Sequence, residues 1–343
     1  MQNTDITETI PVKTYSRSRS KAPVFVIGCG RSGTTLLYHM ILSAGNFAVY
    51  RTESNVINLL EPRFGDLSKK RNKERLLKAW YDSRLYTLSG LDLQKISSKV
   101  MAECRNGGDF LRLIMEEMAR QQGVERWAEC TPEHLLYIDR IKETIPGALI
   151  VHIIRDGRDV ALSMEKGNWI RPFPWQKGQR LAVSGLYWEW MIQRGREAGR
   201  KLGADYTEVH FEDLVTQPRE TLARLGQFLD HDLDYDRIRE VGIGSVSQPN
   251  TSFQPEANGG NFNPVCRWKD KLSPTELRRF ESLVGRTLKE LGYSLATKEC
   301  DVLERSGLEC MRAIYRAYFD SKLWLKARTP LGKLMTTRNL SWV

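Results

Sequence analysis

Short apolar runs recur along the chain, separated by longer stretches in which apolar residues return at helical spacing. Residues 23–27, just after a polar start, form an apolar run that ends in glycines, as a buried parallel strand does. Residues 34–44 follow with Leu36, Leu37, Met40 and Ile41 on one helical face, and Gly45 supplies a stop. Residues 47–50 predict a second short strand, and residues 126–129 a third. The run at 149–154 is the most strand-like segment, with a helix beginning at Gly157 behind it. A last strand is expected at 207–210, followed by a helix over 219–229. Between strands two and three, residues 66–122 read as charged helices, with amphipathic stretches near 76–80 and 110–119. Strands alternating with helices predict an α/β fold: a three-layer sandwich with a central parallel sheet and helices on both faces. The expected organisation is a tail over 1–22, one α/β domain over 23–295 with a helical insertion at about 63–125, and a helical extension over 296–343.

Composition narrows the function. Apolar residues make up 41% of the 343 positions, enough for a sizeable core. No stretch approaches the roughly 18 uninterrupted apolar residues of a membrane span. The N-terminus is polar through Ser20, with no apolar signal core, so the expected location is cytoplasmic. The six cysteines form no CxxC pair and the five histidines no HxH or HxxxH pair, which argues against a zinc ribbon, a redox motif or a metal site. The net charge of +10 sits mostly in the tails. Residues 1–22 carry +2, and residues 311–343 carry +6 through Arg312, Arg316, Lys322, Lys326, Arg328, Lys333 and Arg338 against Asp320. A nucleic-acid binder carries its basic stripe on the folded body, so no nucleic-acid partner is expected.

Between the first strand and its helix lies Gly28-Cys29-Gly30-Arg31-Ser32-Gly33-Thr34-Thr35. Glycines there let the backbone wrap an anion, and successive N–H groups at a helix N-terminus attract phosphate. The loop departs from Walker A, which places Lys directly after its second glycine. Here that position is Thr34, and the charge lies earlier, at Arg31. No strand ends in a clear Walker B aspartate; the 149–154 strand runs into Arg155. A nucleotide kinase or NTPase of the P-loop type would want both groups, so it stands as an alternative, beside a non-catalytic phosphonucleotide-binding module.

The loop resembles the PRSGTT or PKSGTT element of sulfotransferases that use 3′-phosphoadenosine 5′-phosphosulfate (PAPS), with Gly30 in the place of Pro. A second element of that family, RDxRDxxxS, is matched by Arg155-Asp156-Gly157-Arg158-Asp159-Val160-Ala161-Leu162-Ser163. The resemblance runs from about residue 24 to residue 293, and is nearest to the bacterial and tyrosylprotein branches. It implies a P-loop-type fold, PAPS as co-substrate, adenosine 3′,5′-bisphosphate as product and no metal. Arg31 would neutralise the bridging oxygen and sulfonate, while Gly30, Ser32, Gly33, Thr34 and Thr35 would hold the 5′-phosphate. Arg155 and Ser163 would hold the 3′-phosphate. Residues 209–214 resemble the family's YEDL segment, with Phe211 in place of Tyr, and Cys266-Arg267-Trp268-Lys269 resembles a later R-W element. Ser252 and Arg267 would close over the nucleotide.

Glu53, in Thr52-Glu53-Ser54-Asn55, is the first candidate base, since that family carries a similar strand-end glutamate. His134, in Glu129-Cys130-Thr131-Pro132-Glu133-His134, is the second. Thr131-Pro132 reads as a helix start, where the dipole keeps an imidazole neutral. Relatives often carry Lys before Thr-Pro; here it is Cys130, uncharged at neutral pH. Trp169, Phe173, Pro174 and Trp175 either line an acceptor pocket or pack under their loop, whereas Tyr187, Trp188 and Trp190 are expected in the core. The partner is an acceptor hydroxyl, on a carbohydrate, lipid, peptide or small metabolite. Residues 311–343 interleave basic and apolar positions, which suits a helix packed on the domain or peripheral docking on a membrane.

Overall fold

In the computed structural model, residues 19–248, 264–297 and 302–329 are described; residues 1–18 of the tail expected over 1–22 and Ser252 lie outside them. Five parallel strands form one sheet in the order β2-β3-β1-β4-β5. They are β1 (Val24–Gly28), β2 (Phe47–Ala48), β3 (Arg126–Glu129), β4 (Leu149–Ile154) and β5 (Tyr206–His210). The central strand β1 pairs on one side with β4, from Val24 against Leu149 to Gly28 against Ile153, and on the other with β3 through Val24 and Ala128. The first strand therefore lies in the middle of the sheet. The chain crosses from one side of it to the other, and in such sheets ligands bind beyond the strand carboxyl ends at that point.

Period-two alternation splits the side chains of β1 and β4 between two cores. Val24, Val26, Val151 and Ile153 face the helices Thr34–Ser43, Phe211–Thr216, Pro218–Leu229 and Tyr235–Val241. Phe25, Ile27, Ile150 and Ile154 join the larger core, shared with Gly107–Gln121, Gly157–Lys166, Arg180–Arg200 and Pro274–Glu290. Helices on both faces complete the three layers. The charged segment between β2 and β3 folds into helices whose buried Leu76, Trp80, Ile96, Val100 and Phe110 belong to that larger core. Trp188 is buried as expected, and Gly157 makes room for it: a Cβ there would lie 2.5 Å from the indole.

Two local expectations meet a different outcome. Strand β2 ends at Ala48 rather than reaching Tyr50, because the Gln122 side chain takes over the backbone of Val49. Its amide accepts from Val49 N at 2.7 Å and donates to Val49 O at 3.2 Å, as a neighbouring strand would. Thr131 does not cap the following helix; its hydroxyl donates to Glu129 instead, and Pro132–Tyr137 is a tight 3-10 turn.

The helix Val302–Arg328 lies against the helix Arg180–Arg200, with Leu308, Met311, Tyr315 and Phe319 buried in the larger core. Arg312 pairs with Glu189 at 2.5 Å, and Asp320 accepts from Trp190 and Arg194 at 2.7 Å each. Among the described residues no helix is long and apolar enough to cross a membrane.

Candidate active site

The loop after β1 is shaped by what its residues lack. A Cβ at Gly28 would lie 2.5 Å from the carbonyl oxygen of Ile153, so β1 leaves the sheet in close contact with β4. Arg31 has φ 71° and Gly33 φ 93°, which turns the chain through the left-handed region before the helix starts at Thr34. A Cβ at Gly33 would also meet the Phe211 ring at 2.4 Å. Gly33→Ala should therefore cost about 1–3 kcal/mol through overpacking and strain, measured as a lower thermal midpoint together with weaker nucleotide binding. The Ser32 hydroxyl is buried without a partner, so the cradle holds a polar group that a bound anion could satisfy.

The two arginine motifs meet at this loop. Arg31 Nε donates to Ser163 Oγ at 2.9 Å, and its guanidinium lies 5.4 Å from the centre of the Trp169 ring. Burial lowers the pKa of Arg31. Arg155, at the end of β4, is itself buried. It donates through Nη1 to the carbonyl of Arg31 at 3.1 Å and through Nη2 to that of Pro264 at 2.5 Å, and it stacks 4.4 Å over Phe211. Its Nε is buried without a partner. Arg155 lies 3.9 Å from Asp159 and feels the charge of Arg267. Asp159, Glu212 and Asp156 support its charge and Arg267 opposes it, so what the enclosed guanidinium still offers an incoming phosphate is its unpartnered Nε donor.

The remaining charges of the second motif fasten the scaffold. Arg158 pairs with Asp156 and Glu281 at 2.7 Å each and covers the Trp268 ring at 3.7 Å. Asp159 accepts from the backbone N–H of Trp268 at 2.9 Å. Burial pushes Asp159 up to about 6, against the pull of Arg155. These contacts tie the segment from Pro264 onward to the helix Gly157–Lys166, which brings Arg267 beside Arg155.

Beyond β2 and β3 lies a carboxylate cluster. Glu129, at the end of β3, is buried. Its Oε2 accepts from His134 Nδ1 at 2.8 Å, and its Oε1 accepts from Ser54 Oγ at 2.7 Å and from Thr131. Burial alone would raise this carboxyl, but His134 and the two hydroxyls bring it below the usual range. The Ser54 bond anchors the chain directly beside Glu53. Glu53 itself keeps an open face to water. Desolvation by the surrounding protein, then the like charges of Glu129 and Glu133, push its carboxyl up to about 7, while His134 and Asn55 pull the other way. The open face lets solvent screening limit that rise. Glu133 is held by Asn58 at 3.2 Å and by Lys326, from the last turn of the C-terminal helix, at 3.5 Å.

Cys130 links this cluster to the loop. Its thiol is buried and hydrogen-bonded to Thr34, and it feels the charge of Glu53. Desolvation raises it far above a normal thiol, so it stays neutral. The structure thus brings Arg31, Ser163, Arg155 and Arg267 together, with Glu53 at the neighbouring strand end. His134 is sealed beneath the cluster: it is 0% exposed, packs against Phe25, and its Nε2 is buried without a partner. An acceptor hydroxyl cannot touch that nitrogen without the cluster opening. Sequence reasoning missed Ser54, Glu129 and Lys326. The first two flank candidate residues, whereas Lys326 gave no local signal. Among the described residues no cluster of His, Cys, Asp and Glu is arranged to hold a metal ion.

Residues 23–235 match the model of a sulfotransferase family. The fold is similar to that of the sulfotransferase domain of the olefin synthase from Synechococcus PCC 7002, with TM-score 0.55 and 19% identity over 80% of this chain and 95% of that one. It is also similar to the sulfotransferase domain of the curacin biosynthetic pathway, with TM-score 0.51 and 15% identity over 79% of this chain and 98% of that one. Comparison with curated proteins finds no match to the sequence.

Proposed function

The chain belongs to the sulfotransferase family, and from that premise we propose that it transfers a sulfuryl group from PAPS to an acceptor hydroxyl, with Arg31 and Glu53 as its catalytic residues. The observation that carries this reading is the contact between the two motifs: Arg31 on Ser163, and Arg155 on the carbonyl of Arg31. PAPS, when bound, supplies an electron-poor sulfuryl group and a phosphate oxygen as leaving group. Arg31 offers a fixed guanidinium on which the developing negative charge is stabilised without reorganisation. The N–H groups of residues 30–35 and the hydroxyls of Ser32, Thr34 and Thr35 bind the 5′-phosphate at the helix N-terminus.

Ser163 has a further capacity. A hydroxyl carries one donor and two acceptor lone pairs, so it can accept from Arg31 and still donate its own proton. We assign that proton to the 3′-phosphate, with Arg155 and Arg267 as its counter-charges and Ser252 as a further contact. Glu53 takes the proton of the acceptor hydroxyl, and Ser54 on Glu129 holds its backbone in place. His134 then positions Glu129 and does not meet the acceptor.

The test is nucleotide selectivity. Adenosine 3′,5′-bisphosphate should raise the thermal midpoint without magnesium, by about 2.7 kcal/mol of added stability at a hundredfold excess over Kd. ADP and ATP lack the 3′-phosphate and should give much smaller shifts. Equal shifts with ATP would overturn the assignment of Arg155 and Ser163.

A further inference from the structure

Large apolar side chains exposed to solvent are few among the described residues, and most lie in two segments. The loop after the helix Gly157–Lys166 exposes Trp169 at 57% and Trp175 at 76%, and the C-terminal helix exposes Ile314 at 50%, Tyr318 at 39% and Trp324 at 60%. Phe173 joins the two segments. Phe173 stacks on Trp175 at 4.9 Å and on Tyr315 at 4.8 Å, and it meets Tyr318 edge-on at 5.0 Å. The Tyr315 hydroxyl accepts from Phe173 N at 3.1 Å. The core already has its share of this helix through Leu308, Met311, Tyr315 and Phe319, so the outward aromatics are not missing core contacts.

The same two segments carry exposed bases: Arg171 and Lys177 on the loop, and Arg316, Lys322 and Arg328 on the helix. Among the acids of this helix whose side chains are described, Asp320 is held by Trp190 and Arg194 and Glu309 by Arg312. Tryptophan and tyrosine beside exposed bases match the chemistry of a headgroup layer, where the rings sit at the interface and the cations meet lipid phosphates. We propose that this surface docks the protein peripherally on an anionic membrane. The same loop lays Trp169 against Gly30 and over Arg31, so the docked face borders the donor loop. The acceptor hydroxyl is then carried by a membrane-borne molecule, a step that rests on the proposed sulfuryl transfer.

The experiment is co-sedimentation of the full chain with vesicles of phosphatidylcholine alone and of phosphatidylcholine mixed with phosphatidylglycerol. Binding is expected only to the mixed vesicles, weakening steeply with salt. The paired substitution Trp175→Ser with Trp324→Ser should weaken it by roughly tenfold or more, since affinity follows buried apolar area. Both residues are exposed, so the variant should keep its thermal midpoint and its shift with adenosine 3′,5′-bisphosphate. That shift failing in the wild type would count against the nucleotide reading, not against docking. Equal sedimentation with both vesicle types, or unchanged binding by the variant, would overturn the proposal. So would a dimer in solution that the variant abolishes, which would assign the surface to a second copy. Binding that appears only after deletion of residues 330–343 would assign it to the chain's own end.

Discussion

Replacing Arg31 with Ala should slow turnover by ~10²–10³ while leaving most of the affinity for PAPS in place. The reason lies in where its charge is held. Arg31 sits inside the loop in a left-handed conformation, with its Nε on Ser163 and its guanidinium over the Trp169 ring. A guanidinium fixed in this way acts on charge that develops during transfer, and losing it lowers kcat and kcat/KM together. Walker-type loops add a lysine after the second glycine; here Thr34 stands there, hydrogen-bonded to a neutral Cys130. Arg31 is therefore the principal cation of the loop itself. Arg155→Ala should behave differently, chiefly raising KM, because its assigned contact with the 3′-phosphate exists before as well as during transfer. Single-turnover rates and equilibrium binding of adenosine 3′,5′-bisphosphate separate the two variants. An Arg31→Ala enzyme altered only in KM would remove the transition-state role.

The parts of this architecture that were legible in sequence are those dictated by local rules. Strands β1 and β4 are buried on both faces, so they read as apolar runs, broken in β4 only by His152, and the loop between β1 and its helix had to be glycine-rich to turn where it does. Arg155 was visible only through the resemblance of residues 155–163 to the RDxRDxxxS element, since a strand-end arginine by itself reads as an ion-pair partner. What could not be read depends on contacts between distant segments. Nothing near residue 326 announces that its ammonium meets Glu133. Nothing around Gln122 shows that its amide will end β2 at Ala48. His134 is the sharper case. Its place after Thr-Pro suggested an available imidazole on a helix dipole, but the bond from Nδ1 to Glu129 needs β3 to end directly above it. Only the packed sheet reveals that the ring is enclosed. Phe173 was divided between an acceptor pocket and packing, and the structure stacks it on Tyr315 of a helix far along the chain.

Glu53→Gln should lower kcat by ~10²–10⁴, the range for losing a positioned general base, with nucleotide binding intact. The amide keeps the volume and hydrogen-bonding reach of the carboxyl and removes only its basicity. Titration gives a second readout. Desolvation by the surrounding protein and the charges of Glu129 and Glu133 push Glu53 upward toward about 7, with solvent at its exposed side limiting the rise. Its active, ionised form therefore accumulates as pH rises from the usual carboxylate range toward that value. Turnover of the wild type should climb on that limb, and the limb should vanish in Glu53→Gln. Asn55, Glu133 with its partner Lys326, and His134 on Glu129 all bear on this carboxyl, so the midpoint belongs to the cluster rather than to Glu53 alone. His134→Ala tests the alternative. It strips Glu129 of a buried partner, so it should lower the thermal midpoint, consistent with the several kcal/mol typical of breaking a buried pair. Its pH limb should nonetheless persist wherever the variant stays folded. A Glu53→Gln enzyme that turns over normally, beside a folded His134→Ala enzyme that does not, would transfer the base to His134 and require the cluster to open during the reaction.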